Sequence, residues 1–452
     1  MRKILVAMLI AMFSTPAAAV DLMGVYELAA QNDPTLRAAE RRLESAGFGP
    51  RIARSNLLPN VGASAQRSLG QNDPRFGGVD LDTSDIDTAN YRIELRQTIY
   101  DDANYGQLTR ARAELARADA QFDSAWQDFL LRVSERYFDI LTAIDSLRFA
   151  RAEETALRRQ FEQAEQRFEV GLSAVTDLHE ARAAWDAARA RVIVAENNLE
   201  DAREAMREIT GTMFEHFSGL AEEIPLHEPD PPTAQAWVNE ALRHNPEYRA
   251  RLKELDVADA DIRVARSGHL PSLGLVAFVN QNRNNEFVAR DPATQQPIGT
   301  TTFVTDQWQL QLTLNIPIFE GFAVQSRTRQ ARVNRIVAGE ELDESQRNVV
   351  RITENAFRAV LAGIREVEAR ERALISAESA LEATNAGFEV GTRTIVEVLL
   401  SEQQFFQAQR DYSQARHQFL LNRLRLRRAA GVLEPEDLAM ANEFLRPGAN
   451  RD

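Results

Sequence analysis

Apolar residues recur with coiled-coil spacing between Asp101 and Gly211. One run places them seven residues apart, at Leu108, Leu115, Phe122 and Phe129. A second run alternates steps of four and three residues, at Leu157, Phe161, Ala164 and Phe168. Between the two runs the frame slips by four residues, a stutter that relaxes a supercoil without breaking the helix. Because no proline interrupts Asp101 to Val170, we predict one helix of about 70 residues, or about 105 Å, then a turn at Val170 to Asp177 and a second long helix.

Two shorter segments alternate apolar and polar residues, which predicts β-strands with one apolar face. The apolar positions are Tyr91, Ile93, Leu95 and Ile99 in the first segment and Trp308, Leu310, Leu312, Leu314 and Ile316 in the second. The pattern fits a half-buried strand of a soluble sheet or a membrane-barrel strand with lipid outside and water inside. Residues 61–68 and 273–281 are predicted partner strands, with exposed polar loops at 69–90 and 282–306. Four strands cannot close a transmembrane barrel, so a barrel requires an oligomer.

The chain contains one structural unit twice. Pro34, Arg54, Pro59 and Gly62 recur at a constant offset as Pro246, Arg266, Pro271 and Gly274, and Phe168-Glu169-Val170-Gly171 recurs as Phe388-Glu389-Val390-Gly391. Each unit is predicted to run helix, strand, strand, long helix, turn, helix. The predicted organisation is a signal peptide at 1–19, a first repeat at 20–222, a linker with a short helix at 223–244, a second repeat at 245–431 and a tail at 432–452. We expect the last few residues of the tail to be disordered.

The chain begins with the pattern of a secretory signal. Arg2 and Lys3 precede an apolar run from Ile4 to Phe13, and Ala17-Ala18-Ala19 forms a cleavage site before Val20. A membrane anchor is the competing interpretation, but the run is shorter than the roughly 20 residues that a spanning helix needs. Export favours the membrane-barrel interpretation of the strands. The chain has no cysteine, which excludes disulfides, zinc–thiolate sites and a lipid-attachment cysteine after the signal.

Charge and motifs argue against nucleic-acid binding and catalysis. The formal net charge is -14 at pH 7, and loss of the basic signal segment makes the mature chain more acidic still, so we expect no nucleic-acid partner. The sequence contains no nucleotide-binding loop, no His-Glu-x-x-His motif and no nucleophile elbow. We therefore predict that the protein is not an enzyme and uses no cofactor and no metal.

The two predicted helical turns carry the most specific residues. Gly171 and Gly391 are placed as left-handed C-terminal caps of the long helices. Thr394 and Glu397 have the spacing of a capping box, and we expect Thr176 with Asp177 to play a similar part in the first copy. Capping alone accounts for Glu397. The functional alternative is that the turns lie at the free end of a helical tube, where charged side chains from several subunits form a gate.

The sequence of both turns closely resembles the TolC family of outer-membrane efflux and type I secretion channels. The residues that carry the resemblance are Gln166 to Leu172, then Thr176 and Asp177, and Gly391 to Leu399, and the likeness extends over nearly all of the mature chain. It implies a mainly α-helical protomer with four strands. Three protomers would form a 12-stranded β-barrel in the outer membrane of a Gram-negative bacterium and a periplasmic α-helical tunnel. The strand count by itself allows other oligomers.

The resemblance also implies roles for individual residues. The turns Val170-Gly171-Leu172 and Val390-Gly391-Thr392 correspond to the docking sites of a periplasmic adaptor. Four positions correspond to the polar links that close the tunnel: Thr176, Asp177, Phe388 and Arg393. Two positions correspond to acidic rings at the constriction: Glu397 and Leu400. The chain departs from the family pattern at Phe388, where a tyrosine hydroxyl is missing, and at Leu400, where a carboxylate is missing. We therefore expect the gate to depend more on Arg393 and the pore to have a single carboxylate ring with weaker cation preference.

The predicted function is that of a passive homotrimeric exit duct for multidrug efflux, type I protein secretion or both. An adaptor and an inner-membrane efflux pump or ABC exporter would open it, and outer-membrane lipid would surround its barrel. Two alternatives from other classes stay open: a structural periplasmic coiled-coil protein whose strands form a soluble sheet, and an autonomous general porin. The long helical hairpins argue against the porin, because a simple pore needs no periplasmic extension of about 100 Å.

Overall fold

The computed structural model describes residues 19–446 apart from 74, 78, 81–83, 291–292 and 294–295. The predicted signal peptide, except for Ala19, and the predicted disordered end of the tail lie outside the described residues. The elements of the first part of the chain are α1 (Leu22–Asn32), α2 (Pro34–Ser55), β1 (Asn60–Asn72), β2 (Arg75–Phe76), β3 (Val79–Asp80), β4 (Ser84–Tyr100), α3 (Asp102–Glu169), α4 (Val175–Thr210) and β5 (Gly219–Leu220).

The second part of the chain repeats this order. Its elements are α5 (Ala234–His244), α6 (Pro246–Ser267), β6 (Ser272–Arg290), β7 (Pro297–Asn315), α7 (Ala323–Glu389), α8 (Ile395–Ala430), α9 (Pro435–Asn442) and β8 (Leu445–Arg446). The series α2-β1-β4-α3-α4 therefore matches α6-β6-β7-α7-α8, which confirms the predicted duplication and the mainly α-helical class with four long strands. Helix α3 is uninterrupted over 68 residues, so the slip in its heptad frame does not break it.

The four long strands form one antiparallel sheet in the order β1-β4-β6-β7. The predicted apolar face is present and exposed on the single chain, with Trp308 at 78% and Leu310 at 63% exposure. The predicted polar loops at 69–90 and 282–306 are largely wrong, because β4, β6 and β7 continue through much of these segments. Antiparallel pairing satisfies backbone groups whatever the side chains are, so polar residues there do not end the strands.

One compact unit contains the described residues of 1–42, 120–249 and 344–452. Its core is rich in fully buried aromatic side chains, including Phe129, Tyr137, Phe138 and Phe419. The Tyr137 hydroxyl donates a hydrogen bond to the Ser218 carbonyl oxygen at 2.7 Å. The predicted tail contributes α9 to this unit, with Leu438 fully buried. Neither α1 nor α9 was predicted from the sequence.

The other compact unit contains the described residues of 43–119 and 250–343, including the sheet. In this unit the start of α3 packs against α6, and Asp102 forms an ion pair with Arg263 in which Oδ1 and Nη2 are 2.7 Å apart. A Cβ on Gly106 would lie 2.9 Å from a Val264 methyl, so this glycine permits the close approach of the two helices. Both units draw on both sequence repeats, and the repeat boundaries do not coincide with those of the compact units. Within the described chain, every helix is too short or too polar to cross a membrane.

Candidate gate at the helical turns

The turn between α3 and α4 is a Schellman motif. Gly171 has φ +75°, and its N–H donates a hydrogen bond to the Phe168 carbonyl oxygen at 2.9 Å. The Leu172 N–H donates to the Arg167 carbonyl oxygen at 2.8 Å. Apart from its neighbours in the chain, no described residue would have an atom within 4 Å of a Cβ on Gly171. The glycine is therefore required by the left-handed backbone and not by packing, as the sequence predicts.

The turn between α7 and α8 repeats this geometry. Gly391 has φ +77°, and its N–H donates a hydrogen bond to the Phe388 carbonyl oxygen at 3.1 Å. The Thr392 N–H donates to the Gly387 carbonyl oxygen at 2.8 Å. The apolar residues of the two turns point to solvent in the single chain, with 69% exposure for Val170, 79% for Leu172 and 75% for Val390. Each hairpin therefore ends in an apolar tip held by a rigid hydrogen-bonded turn.

The predicted capping box at the start of α8 is confirmed. The Thr394 hydroxyl accepts from the Glu397 N–H, and Glu397 Oε2 accepts from the Thr394 N–H at 2.8 Å. The other carboxylate oxygen, Oε1, accepts from Arg393 Nη1 at 2.5 Å. The backbone hydrogen bond from Thr394, followed by the Arg393 and Thr394 side chains, lowers the pKa of Glu397 to about 2. Glu397 is therefore an exposed carboxylate that stays ionised.

The predicted similar role of Thr176 and Asp177 is wrong. The N-cap of α4 is Ala174, which has no side-chain acceptor, so Thr176 lies inside the first helical turn. Asp177 instead accepts a hydrogen bond at 2.8 Å from the hydroxyl of Ser173, one residue before the cap. The two turns thus share backbone geometry and differ in how their side chains close the following helix.

Phe388 is half-buried and packs against an apolar cluster formed by the two helical hairpins. The buried members of this cluster are Leu157, Ala164, Ala181, Ala188, Ile395, Val398 and Leu399. The Arg167 guanidinium lies 4.5 Å from the centre of the Phe388 ring, at cation–π distance. At the position where the family pattern has a tyrosine hydroxyl, this chain therefore has a cation–π contact between the two hairpins.

The structure brings together only some of the predicted gate residues. In the part of the chain that the structure describes, no hydrogen bond or ion pair joins Arg393 to Thr176 or Asp177, and the ion-pair partner of Arg393 is Glu397. Leu400 is 53% exposed and lies one helical turn after Glu397, so both point to the same side of α8. Among the described residues, no cluster of three histidine or acidic side chains is arranged to hold a metal ion.

Sequence reasoning missed a buried polar cluster between the hairpins. Glu153 of α3 is 1% exposed and pairs with Arg191 of α4 at 2.7 Å and Arg410 of α8 at 3.0 Å. Glu402 of α8 is also buried and accepts from Gln160 of α3 at 3.0 Å. A signal exists in the sequence, because both glutamates occupy apolar positions of the heptad seams: Glu153 between Ala150 and Leu157, and Glu402 between Leu399 and Phe406.

Comparisons with known proteins agree with this architecture. The family model described as Outer membrane efflux protein matches residues 25–212 and 237–432. The outer membrane protein TolC of Vibrio cholerae is 34% identical over 451 residues, which cover 99% of this chain and 99% of TolC. The alkaline protease secretion protein AprF of Pseudomonas aeruginosa is 27% identical over 429 residues, covering 94% of this chain and 87% of AprF.

A solved structure shows the same fold. The CmeC outer membrane channel of Campylobacter jejuni matches with a TM-score of 0.75 and 17% identity, over 98% of this chain and 95% of CmeC. The family model covers most of the chain, and the Vibrio relative covers nearly all of it. The chain therefore belongs to the outer membrane efflux protein family, as an outer-membrane channel that extends into the periplasm of a Gram-negative bacterium.

Proposed function

We propose that three copies of this chain assemble into one duct whose periplasmic end is closed by the two helical turns. As a member of its family, the chain is an exit duct for efflux, type I secretion or both. The homotrimer, the gate and the docking sites of partners are the parts that we propose.

The sheet supports closure by further copies of the chain. Its edge strands β1 and β7 have no partner on their outer sides within the described sheet, and an unpaired edge is unfavourable in lipid. Because all neighbours are antiparallel, β1 and β7 run in opposite directions, so β7 of one copy can pair with β1 of the next in the same antiparallel manner. Three copies supply twelve strands, and their exposed apolar face, with Trp308 near its end, suits contact with outer-membrane lipid.

The turns suit a periplasmic adaptor. Val170, Leu172 and Val390 form exposed apolar tips, and the glycines between them fix the backbone of each tip. We propose that an adaptor buries these tips and that an inner-membrane efflux pump or ABC exporter supplies the energy. Gly171, Gly391 and Thr392 would then present the backbone of the docking turns.

The gate is proposed to involve links between copies. Arg393 and Glu397 are bound to each other inside one protomer, and Asp177 has one oxygen that accepts from Ser173. We propose that Arg393 also reaches Thr176 or Asp177 of a neighbouring copy when the duct is closed, while Phe388 contributes packing and Leu400 an apolar ring. The ring of Glu397 carboxylates sets the charge of the constriction.

The observation that carries this proposal is the pair of Schellman turns with apolar exposed tips. It is tested in a strain that lacks the chromosomal gene and carries variants on a plasmid. Leu172→Asp or Val390→Asp should leave heat-sensitive trimers in the outer membrane but abolish resistance to bile salts and dyes, export of a secreted protein, or both. The matched conservative variants Leu172→Met and Val390→Ile should export normally. Normal export by the aspartate variants would refute docking at the turns.

A further inference from the structure

A carboxyl group and an amide meet in the interior between the two helical hairpins. Glu402 of α8 is 6% exposed, and its Oε1 accepts a hydrogen bond from Gln160 Nε2 of α3 at 3.0 Å. The other two oxygens of this contact, Glu402 Oε2 and Gln160 Oε1, are both buried and both lack a hydrogen-bond partner among the described residues. Leaving buried acceptors unpaired is unfavourable, because the lost contact with water is not replaced.

A single proton would satisfy both oxygens. A protonated carboxyl has one O–H donor beside its carbonyl acceptor, and a carboxamide presents one of its two N–H donors beside its own acceptor, with both atoms bonded to the same carbon. We propose that Glu402 is protonated in the closed channel and forms a cyclic acid–amide pair with Gln160, in which Glu402 Oε2–H donates to Gln160 Oε1. This pair joins the first hairpin of the protomer to the second.

The charged groups around Glu402 favour the protonated form. Glu153 of α3 is its acidic neighbour, and the arginines Arg191 of α4 and Arg410 of α8 are both engaged by Glu153. On the side that faces α7, the contact next to Glu402 is uncharged: the hydroxyl of Ser401 in α8 donates a hydrogen bond to the hydroxyl of Thr384 in α7 at 3.3 Å. Burial is the main cause that raises the pKa of Glu402, the Glu153 carboxylate raises it further, and the Gln160 hydrogen bond opposes both.

Protonation gives the duct a pH-dependent link, an inference that rests on the proposed gate. In this proposal, opening moves α8 relative to α3, which would expose Glu402 to water and return its pKa to the ordinary range of a glutamate. The closed form therefore binds a proton that the open form releases. Between the two pKa values, each rise of one pH unit favours opening about tenfold per protomer.

Difference infrared spectroscopy on the purified full-length trimer tests protonation without any reference to gating. At neutral pH we expect the carbonyl band of a hydrogen-bonded carboxylic acid, which should vanish in Glu402→Gln. The glutamine is isosteric and can form an amide–amide pair with Gln160, so the variant should fold. The matched control Glu397→Gln changes an ionised, exposed carboxylate and should leave the band in place. An unchanged band in Glu402→Gln would overturn the proposal.

A second variant keeps the test decisive if Glu402→Gln does not assemble. Gln160→Met removes the amide partner and should shift the acid band, whereas a band that does not move would show that Glu402 is not paired with Gln160. Conductance in planar bilayers then tests the link. The wild-type channel should open more readily as the pH rises from mildly acidic to neutral, and Glu402→Gln should lose this component. If the acid band is present but opening does not depend on pH, Glu402 is protonated as proposed, and its coupling to the gate is refuted.

Discussion

Arg393 and Glu397 form an ion pair across the first turn of α8, with 2.5 Å between Nη1 and Oε1. The same glutamate closes the capping box with Thr394. One carboxylate therefore serves both the local structure of the turn and the charge of the proposed constriction, and the two roles can be separated by mutation.

Glu397→Gln should reduce the cation preference of the reconstituted channel while the helix start is retained. Glutamine can still accept from the Thr394 N–H, but it carries no charge. Glu397→Ala should reduce the preference equally and also destabilise the turn. Reversal potentials in a salt gradient measure the preference. Unchanged selectivity in both variants would leave capping as the only role of Glu397.

The cation preference should also persist in acid. The pKa of Glu397 is lowered to about 2, so the carboxylate stays ionised until the pH falls close to that value. Reversal potentials recorded on the wild-type channel between neutral pH and about pH 4 should therefore show no loss of the Glu397 contribution, taken as the difference from Glu397→Gln. A loss that begins near the ordinary pKa of a glutamate would contradict this ion pair and cap.

Gly387→Ala should disturb the gate through Arg393. A Cβ at Gly387 would lie 2.6 Å from Arg393 Cγ, so the arginine side chain must move away from its place beside Glu397. We expect higher conductance without adaptor, as for Arg393→Ala, because both variants weaken the proposed links of Arg393. Phe388→Tyr should lower this basal conductance by adding the hydroxyl that the chain lacks. Wild-type conductance in Gly387→Ala and Arg393→Ala would argue against a gating role for Arg393.

Gly431→Ala should destabilise the protein much more than Gly391→Ala. Both glycines have left-handed backbones, with φ +76° and +77°, which cost an alanine about 1 to 2 kcal/mol. At Gly431 the new Cβ would in addition lie 2.5 Å from the backbone nitrogen of Asn245, whereas at Gly391 no described residue beyond its neighbours in the chain comes within 4 Å. We expect a total loss of about 3 to 5 kcal/mol at Gly431. Thermal unfolding of the two variants checks this difference, and equal melting temperatures would contradict it.

His417 should make the protein less stable in mild acid. It is 3% exposed, its Nδ1 lies 2.9 Å from the Thr142 hydroxyl, and burial lowers its pKa from 6.5 to about 4. The nearby Asp145 raises the pKa, and Arg416 and Arg148 lower it. Above pH 6.5 the histidine is neutral in both folded and unfolded chains, so stability is full.

As the pH falls from 6.5 towards 4, the unfolded chain binds a proton that the folded chain does not. Stability should therefore decrease by up to about 1.4 kcal/mol per pH unit from this residue. Denaturant unfolding at both ends of the range measures the loss. His417→Gln does not titrate and should show a smaller dependence on pH, and an identical dependence would mean that other groups cause it.

Local patterns in the sequence determined the helical hairpins and their turns. Gly171, Gly391 and the capping box of Thr394 and Glu397 were predictable, because a left-handed cap and a reciprocal cap depend on residues only a few positions apart. The heptad seam and the absence of proline predicted the length of α3 for the same reason. Thr176 was wrongly predicted to cap α4 by analogy with Thr394 in the second copy. The N-cap of α4 is Ala174, two residues before Thr176.

Only the tertiary structure decided which polar groups are buried and which strand segments pair. The polar ends of β4, β6 and β7 resemble loops in composition, and they form strands because backbone pairing with distant segments satisfies their hydrogen bonds. Glu153 and Glu402 occupy seam positions, but their residue types, like that of His417, are common on the surface of long charged helices. Their burial results from the packing of α3, α4 and α8 against one another. The same packing raises the pKa of Glu402, lowers the pKa of His417 and gives Glu153 its buried ion pairs. Local periodicity does not identify the partners in these contacts, many of which lie hundreds of positions apart in the sequence.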